Sequence, residues 1–282
     1  MAISNGFMRK KVEKYEHLYI LFSAHTHLPF IECDKETYDD QIYVFSTEEK
    51  IQAFAKTFAE RKIPLRAVRI PQKLLKSFFT SLYQYGISAV ILQDEGEPVR
   101  IPISDLAQKP DIEKLRASRM PGANPELQLT GIYFAQELYR PVTRTDQEKA
   151  LLRDMEEEMV HNMSRSRFIL AFDVTDLPDG EASVPDGERP QAKMPLIRLK
   201  DGKLFLPIYT EMSEFRRFTA KEKKKMRLLA VPFADLPRLL PGGCSGYVFN
   251  PSGFNLLMTR EQLQAILQRY QSITEEGSRE EK

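Results

Sequence analysis

The chain has 282 residues, 42% apolar and 29% charged, and its 41 basic and 40 acidic side chains leave a formal charge of +1. That composition excludes an intrinsically disordered chain, and the balanced charge leaves no electrostatic footprint for nucleic acid or anionic lipid. The length allows one large domain or two of ordinary size without covalent staples, and Cys33 and Cys244 are too few for a disulfide framework, so they read as free thiols in a reducing compartment.

Residues 1–11 carry basic side chains without a following apolar segment and cleavage site, and Leu18–Phe22 is too short to span a bilayer. The expectation is a cytoplasmic protein that makes no use of a membrane. The run from Leu18 to Phe22 is apolar and β-prone, hence a buried strand. Gln41–Phe45 predicts a second strand, which hands over to a helix at Ser46-Thr47-Glu48-Glu49. There Ser46 and Glu49 have the spacing of a capping box, and Ile51, Phe54, Ala55 and Phe58 fall on one face of the helix.

Next comes Pro64-Leu-Arg66-Ala-Val68-Arg-Ile70-Pro71, a short strand opened by arginine and closed by proline, then a helix with Leu74, Leu75, Phe78, Phe79 and Leu82 on its buried stripe. A hairpin (Ile87–Leu92, a turn at Asp94-Glu95-Gly96, Val99–Ile103) and a short helix at Ser104-Asp105-Leu106 complete the series.

After a proline-rich, polar stretch the same series recurs. The stretch itself holds a β-like run, Leu127–Phe134, and a helix is expected over Thr143–Met163. Phe168–Phe172 then matches Leu18–Phe22, with Tyr19 placed on Phe168 and Leu28-Pro29 on Leu177-Pro178. Asp201-Gly202 between Met194–Leu199 and Lys203–Tyr209 is a hairpin signal. Thr210-Glu211 predicts a capped helix start, followed by Met212, Phe215 and Phe218 on one face. Met226-Arg227-Leu-Leu229-Ala-Val231-Pro232 repeats the arginine-to-proline strand. Cys244–Phe249, Asn250-Pro251-Ser252-Gly253 and Leu256–Met258 repeat the hairpin, with Gly253 on Gly96.

The predicted fold class is therefore α+β, with two tandem similar modules, each a mixed or antiparallel sheet packed with helices. The expected boundaries are 12–108 for the first module, 109–142 for a linker, 143–270 for the second module with its leading helix, and 271–282 for a charged tail without an apolar face, expected to be disordered.

Three clusters invite a chemical reading. His25-Thr26-His27 at a strand end could place two imidazoles on one ion, but only His17 and His161 remain to complete a site, so a polar loop is the simpler account. Gly242-Gly243-Cys244-Ser245-Gly246 has the spacing of a nucleophile elbow, yet the helix precedes and the strand follows, the reverse of what that device needs. The basic run Lys221–Lys225 with Arg216, Arg217 and Arg227 suits a solvated helix end at least as well as an anion patch. No catalytic, cofactor-binding or metal-ligating residue is assigned, and no cofactor is expected.

Leu206-Pro-Ile-Tyr-Thr210-Glu-Met-Ser-Glu-Phe215-Arg-Arg-Phe218 and Tyr247-Val-Phe249-Asn250-Pro251-Ser-Gly253 resemble the N-terminal domain of the SseB (enhanced serine sensitivity) family, in which a strand-to-helix passage with Pro and Tyr-Thr is followed by a strand ending in Asn-Pro. The resemblance is clearest over about 165–270. The first module keeps Phe45-Ser46-Thr47-Glu48 but has Gln93-Asp94 for Asn-Pro, as a degenerate copy would. The resemblance implies an α+β module without established enzymatic activity, in a bacterial cytosol. The function expected is a non-enzymatic protein-interaction or regulatory scaffold with a protein partner. The alternative is a small-ligand-binding protein or weak enzyme using a cleft between the modules, lined by groups such as Arg66, Arg227 or Asn250.

Overall fold

The computed structural model describes residues 5–110, 121, 123–177 and 193–269. They form two compact units, the first from residues up to 110 with 124–159, the second mainly from 160–177 and 193–269. Both are α+β, with mixed sheets carrying helices. The expected tail at 271–282 and Pro178 lie outside the described residues.

In the first unit, α1 (Asn5–Glu13) precedes β1 (His17–Ser23), β2 (Glu32–Cys33) and β3 (Asp40–Phe45). Helix α2 (Glu48–Glu60) follows, then β4 (Leu65–Pro71), α3 (Gln72–Leu82), a 3-10 turn at Tyr83–Tyr85, β5 (Ala89–Gln93), β6 (Val99–Pro102) and α4 (Ile103–Leu106). The strands lie in the order β4-β1-β3-β5-β6, with β2 also paired to β3. Only β3 and β5 run parallel to each other.

Side chains that alternate along β1 assign its two faces. Leu21 joins Phe30, Phe45, Ile51 and Phe58 under α2, whereas Phe22 stacks on Phe78 of α3 at 6.5 Å between centroids. The two helices thus cover opposite faces of the sheet.

Helix α2 starts one residue later than the capping-box reading. Thr47 is the N-cap, and its hydroxyl accepts from the N–H of Lys50. The third helical position therefore holds Lys50 and no reciprocal carboxylate exists. Lys62 (φ 59) ends the helix in the left-handed region, where the N–H of Ile63 returns to the Phe58 carbonyl.

The run Leu127–Phe134, read as β-like, is helical and belongs to α5 (Pro125–Leu138). Asn124 caps it by accepting from the Leu127 N–H, and Pro125 takes the first turn, where a missing N–H costs nothing. Its buried residues, among them Leu127, Gly131, Phe134 and Ala135, repeat at helical rather than strand spacing. Gln136 ties α5 to the first unit, accepting from the Ile31 N–H and donating to the Ile31 carbonyl.

Helix α6 (Asp146–Ser164) leads into the second unit. There β7 (Arg167–Asp173), β8 (Ile197–Arg198), β9 (Leu204–Ile208), α7 (Met212–Thr219) and β10 (Met226–Pro232) follow. A 3-10 turn at Phe233–Asp235, α8 (Leu236–Leu239), β11 (Gly246–Phe249), β12 (Leu256–Thr259) and a helix over 260–269 complete it. The hairpin at Asp201-Gly202 forms, with Gly202 at φ 85, but its first strand is only Ile197–Arg198.

Strands β12-β11-β9-β8 make one sheet and β10-β7 another, and an antiparallel bridge between Ile169 and Tyr209 connects them. Followed through that bridge, the order β10-β7-β9-β11-β12 has the same strand senses as β4-β1-β3-β5-β6. The register corrects one detail of the sequence comparison. His17 faces Pro71 and Arg167 faces Pro232, so Phe168 holds the place of Leu18 and not of Tyr19. A shift of one residue exchanges the faces of a strand.

Candidate functional site

The motif residues of the second unit converge where the parallel strands β9 and β11 end. Asn250 leaves β11 with φ 47, a left-handed conformation that asparagine tolerates better than most side chains, and it is fully buried. Its Oδ1 accepts from the Thr210 N–H at 3.0 Å and its Nδ2 donates to Thr210 Oγ1 at 2.8 Å. Its backbone N–H donates to Ile208, while its carbonyl accepts from Gly253 and Asn255. The hydroxyl of Thr210 therefore does not cap α7 as its position suggested. It serves the strand junction, and Glu211 occupies the N-cap, where its carboxylate accepts from the Ser213 hydroxyl but caps no backbone N–H.

Glu214, on the first turn of α7, was not singled out by the sequence, although its spacing of four from Phe218 put it toward the packed side. It is 1% exposed. Oε1 accepts from Arg217 Nη1 at 2.8 Å and the other oxygen, Oε2, has no hydrogen-bond partner. Burial pushes its pKa up to about 7 and the neighbouring Glu211 adds to the rise, with Arg217 opposing both. Gly253 makes room for it, since a Cβ there would stand 2.7 Å from Oε2. Phe215 and Phe218 pack on Tyr209 at 5.4 and 5.8 Å between centroids, and the Tyr209 hydroxyl is buried without a partner.

The corresponding corner of the first unit is built differently. Asp94 accepts from Lys11 at 2.6 Å and from Tyr15 at 2.5 Å. Burial alone would raise its pKa, but those partners outweigh it and hold the carboxyl below the usual carboxylate range. Lys50 stands where α7 has Glu214, and Gly96 (φ 85) faces open space where Gly253 faces a carboxylate.

The other sequence candidates are occupied locally. His27, at φ 56, has its Nδ1 2.6 Å from Arg66 Nη2, and burial together with that guanidinium lowers its pKa. His25 lies against the Tyr139 ring at 5.6 Å. Cys244 is buried and its thiol is pushed up by burial, against the partial opposition of Arg260. Gly246 is needed because a Cβ would overlap the Met258 carbonyl of the paired strand. Cys33 is exposed, and the partial desolvation of its sulfur, with the nearby Asp40, Asp34 and Asp39, raises its thiol, which does not favour a thiolate. Within the basic run, Lys224 reaches Asp173 at 3.4 Å.

Concave surfaces occur in both units among the described residues. One of about 270 Å³ in the first unit lies between α1, α3 and α4, lined by Val12, Gln72, Leu75, Phe79 and Leu106 among others. An open groove of about 600 Å³ in the first unit is floored by Leu65 and Ala67 of β4 and walled by Ile51, Ala55 and Ala59 of α2, with Lys56 and Lys62 on its rim. A smaller space of about 180 Å³ in the second unit is lined by Leu196, Tyr209, Phe218, Lys224 and Met226, among others.

Among solved structures the chain is similar to Anabaena Tic22, described as a protein-transport protein, with 9% identity over 82% of this chain and 83% of that one and a TM-score of 0.20. It is also similar to Tic22 from Plasmodium falciparum, with 11% identity over 94% and 97% of the two chains and a TM-score of 0.20. No curated protein matches the sequence. The SseB protein N-terminal domain matches residues 148–265, the stretch that contains Thr210, Glu214, Asn250 and Gly253.

Proposed function

We propose that the protein is a non-catalytic, SseB-like interaction or regulatory scaffold that acts by holding another polypeptide. The observation that carries this reading is the groove between α2 and β4, an apolar surface left open on a unit whose core is already filled by Leu21, Phe30, Phe45, Ile51 and Phe58. The first unit is, in this reading, a divergent copy of the SseB-like second one. The shared strand order and the equivalent ring pairs Phe45–Phe54 and Tyr209–Phe218 support that descent. Its setting is a reducing cytoplasm, in keeping with two free thiols.

The test is affinity capture with the full chain and with Ala59→Phe, which fills the groove from an exposed position. Partners held by the native chain and lost by the variant support the reading. Identical captured sets from both chains overturn it.

A second reading, small-ligand binding, is favoured by the partnerless Tyr209 hydroxyl beside the space lined by Phe218 and Met226. A ligand there raises the melting temperature of the native chain, and that shift falls in a Tyr209→Phe chain if the hydroxyl contributes to binding.

A further inference from the structure

The groove adjoins an unfinished sheet. Strand β4 is the outermost strand of β4-β1-β3-β5-β6, and among the described residues no strand pairs with its other side. An edge strand of seven residues presents alternate N–H and C=O groups outward, a template for a further strand. Leu65 and Ala67, two apart on β4, turn the same face toward α2 and floor the groove. Ala55 and Ala59 on the wall are one turn apart and short, which leaves room above β4's edge for the side chains of an added strand.

Charge selects the occupant. Lys56 and Lys62 stand on the rim, no acidic side chain lines the groove, and neither lysine forms an ion pair among the described residues. Arg66 and Arg69 lie exposed along β4, each sharing a hydrogen bond with a histidine (His27 and His17), so their charge has no carboxylate opposite it. Two copies of β4 set edge to edge would bring arginines together, which works against self-pairing. Arg66 pairs with Phe22 and so lies on the α3 face of β4, whereas Lys56 and Lys62 border the groove on the α2 face. An extended segment with apolar side chains toward α2 therefore sets its alternate carboxylates on the face of Arg66, and acidic residues at its ends meet the two lysines.

We propose that β4 accepts an acidic, apolar extended peptide by strand addition, with the α2–β4 groove reading its apolar side chains. This rests on the interaction reading above and adds the chemistry and binding mode of the partner. Backbone pairing supplies register, alternate side chains enter the groove, and the cationic rim chooses acidic over basic sequences.

The probe is a labelled nine-residue peptide alternating valine with glutamate, titrated against the full chain by fluorescence anisotropy. Saturable binding is expected, weakened at least about tenfold by Arg66→Glu, weakened less by Lys56→Glu with Lys62→Glu, and weakened further by salt. Replacing glutamate by lysine in the peptide, or N-methylating alternate peptide amides, should abolish binding, and binding should slow amide exchange over Leu65–Ile70. Glutamate and lysine peptides that bind alike overturn the charge selection. An N-methylated peptide that binds undiminished overturns strand addition while leaving a groove that holds protein by its apolar lining. If the peptide fails altogether while the Ala59→Phe capture test succeeds, this inference falls and the scaffold reading stands.

Discussion

The side-chain amide of Asn250 grips Thr210 at both ends, accepting from its backbone N–H and donating to its hydroxyl. Two chain segments 40 residues apart are thereby fixed at the point where parallel strands β9 and β11 stop pairing. An Asn-Pro pair at a strand end is thus a clasp as well as a turn. It requires an acceptor, a donor and tolerance of positive φ in one side chain, a combination asparagine supplies and aspartate does not.

Asn250→Ala removes both bonds, strands a buried N–H, and puts a Cβ residue without local hydrogen bonding at φ 47. Urea denaturation should show a loss of about 2–4 kcal/mol. Asn250→Gly, which relieves the backbone but not the lost bonds, should be the milder change by about 1 kcal/mol. An alanine variant as stable as the native chain would refute the clasp.

Glu214 makes the second unit sensitive to pH in a stated direction. Its pKa is raised from 4.5 unfolded to about 7 folded, so the native state binds the extra proton in between. The contribution is fully present below about pH 4.5, declines as the carboxyl ionises, and is lost once pH passes about 7, amounting to about 3 kcal/mol at most. Glu214→Gln should flatten the stability profile across that window relative to the native chain. Parallel profiles for the two proteins count against a raised pKa.

Gly253 and Glu214 should behave as a coupled pair. Gly253→Ala sets a methyl 2.7 Å from Oε2 of a carboxylate with nowhere to go, and is expected to cost about 1–3 kcal/mol. In a Glu214→Ala background most of that penalty should disappear, so a double-mutant cycle gives a coupling energy above about 0.5 kcal/mol. Additive effects would mean that the glycine answers to something other than this side chain.

In the first unit, Gln136 fastens α5 to the chain at Ile31 through two backbone bonds. Gln136→Ala should reduce stability by about 1–3 kcal/mol and speed amide exchange at Ile31. Unchanged exchange at Ile31 with unchanged stability would separate α5 from the fold of that unit.

The sequence foretold elements whose patterns are local. The arginine-to-proline strands, the amphipathic α2 and the turns at Gly96 and Gly202 follow from spacing and backbone preference alone, whereas Gly253 has no positive φ and Leu74, expected on the buried stripe of α3, is exposed. It misled where one residue type serves two purposes. Thr210 has the chemistry of a helix cap but spends its hydroxyl on Asn250, a partner the local pattern cannot name. Leu127–Phe134 is apolar enough for a strand, and only Asn124-Pro125 before it betrays the helix. Glu214 was invisible because an acid in a first helical turn is ordinarily solvated. Its burial depends on Gly253, distant in sequence. The groove was equally hidden, since it arises from which strand is left at the sheet's edge, a property of topology.

The most direct test of the interaction reading is quantitative capture from lysate by the native chain and by Ala59→Phe, with folding of both verified by thermal denaturation. The account predicts a discrete set of bound proteins, depleted at least about tenfold when the groove is filled. Equal recovery of the same proteins by both chains would contradict it.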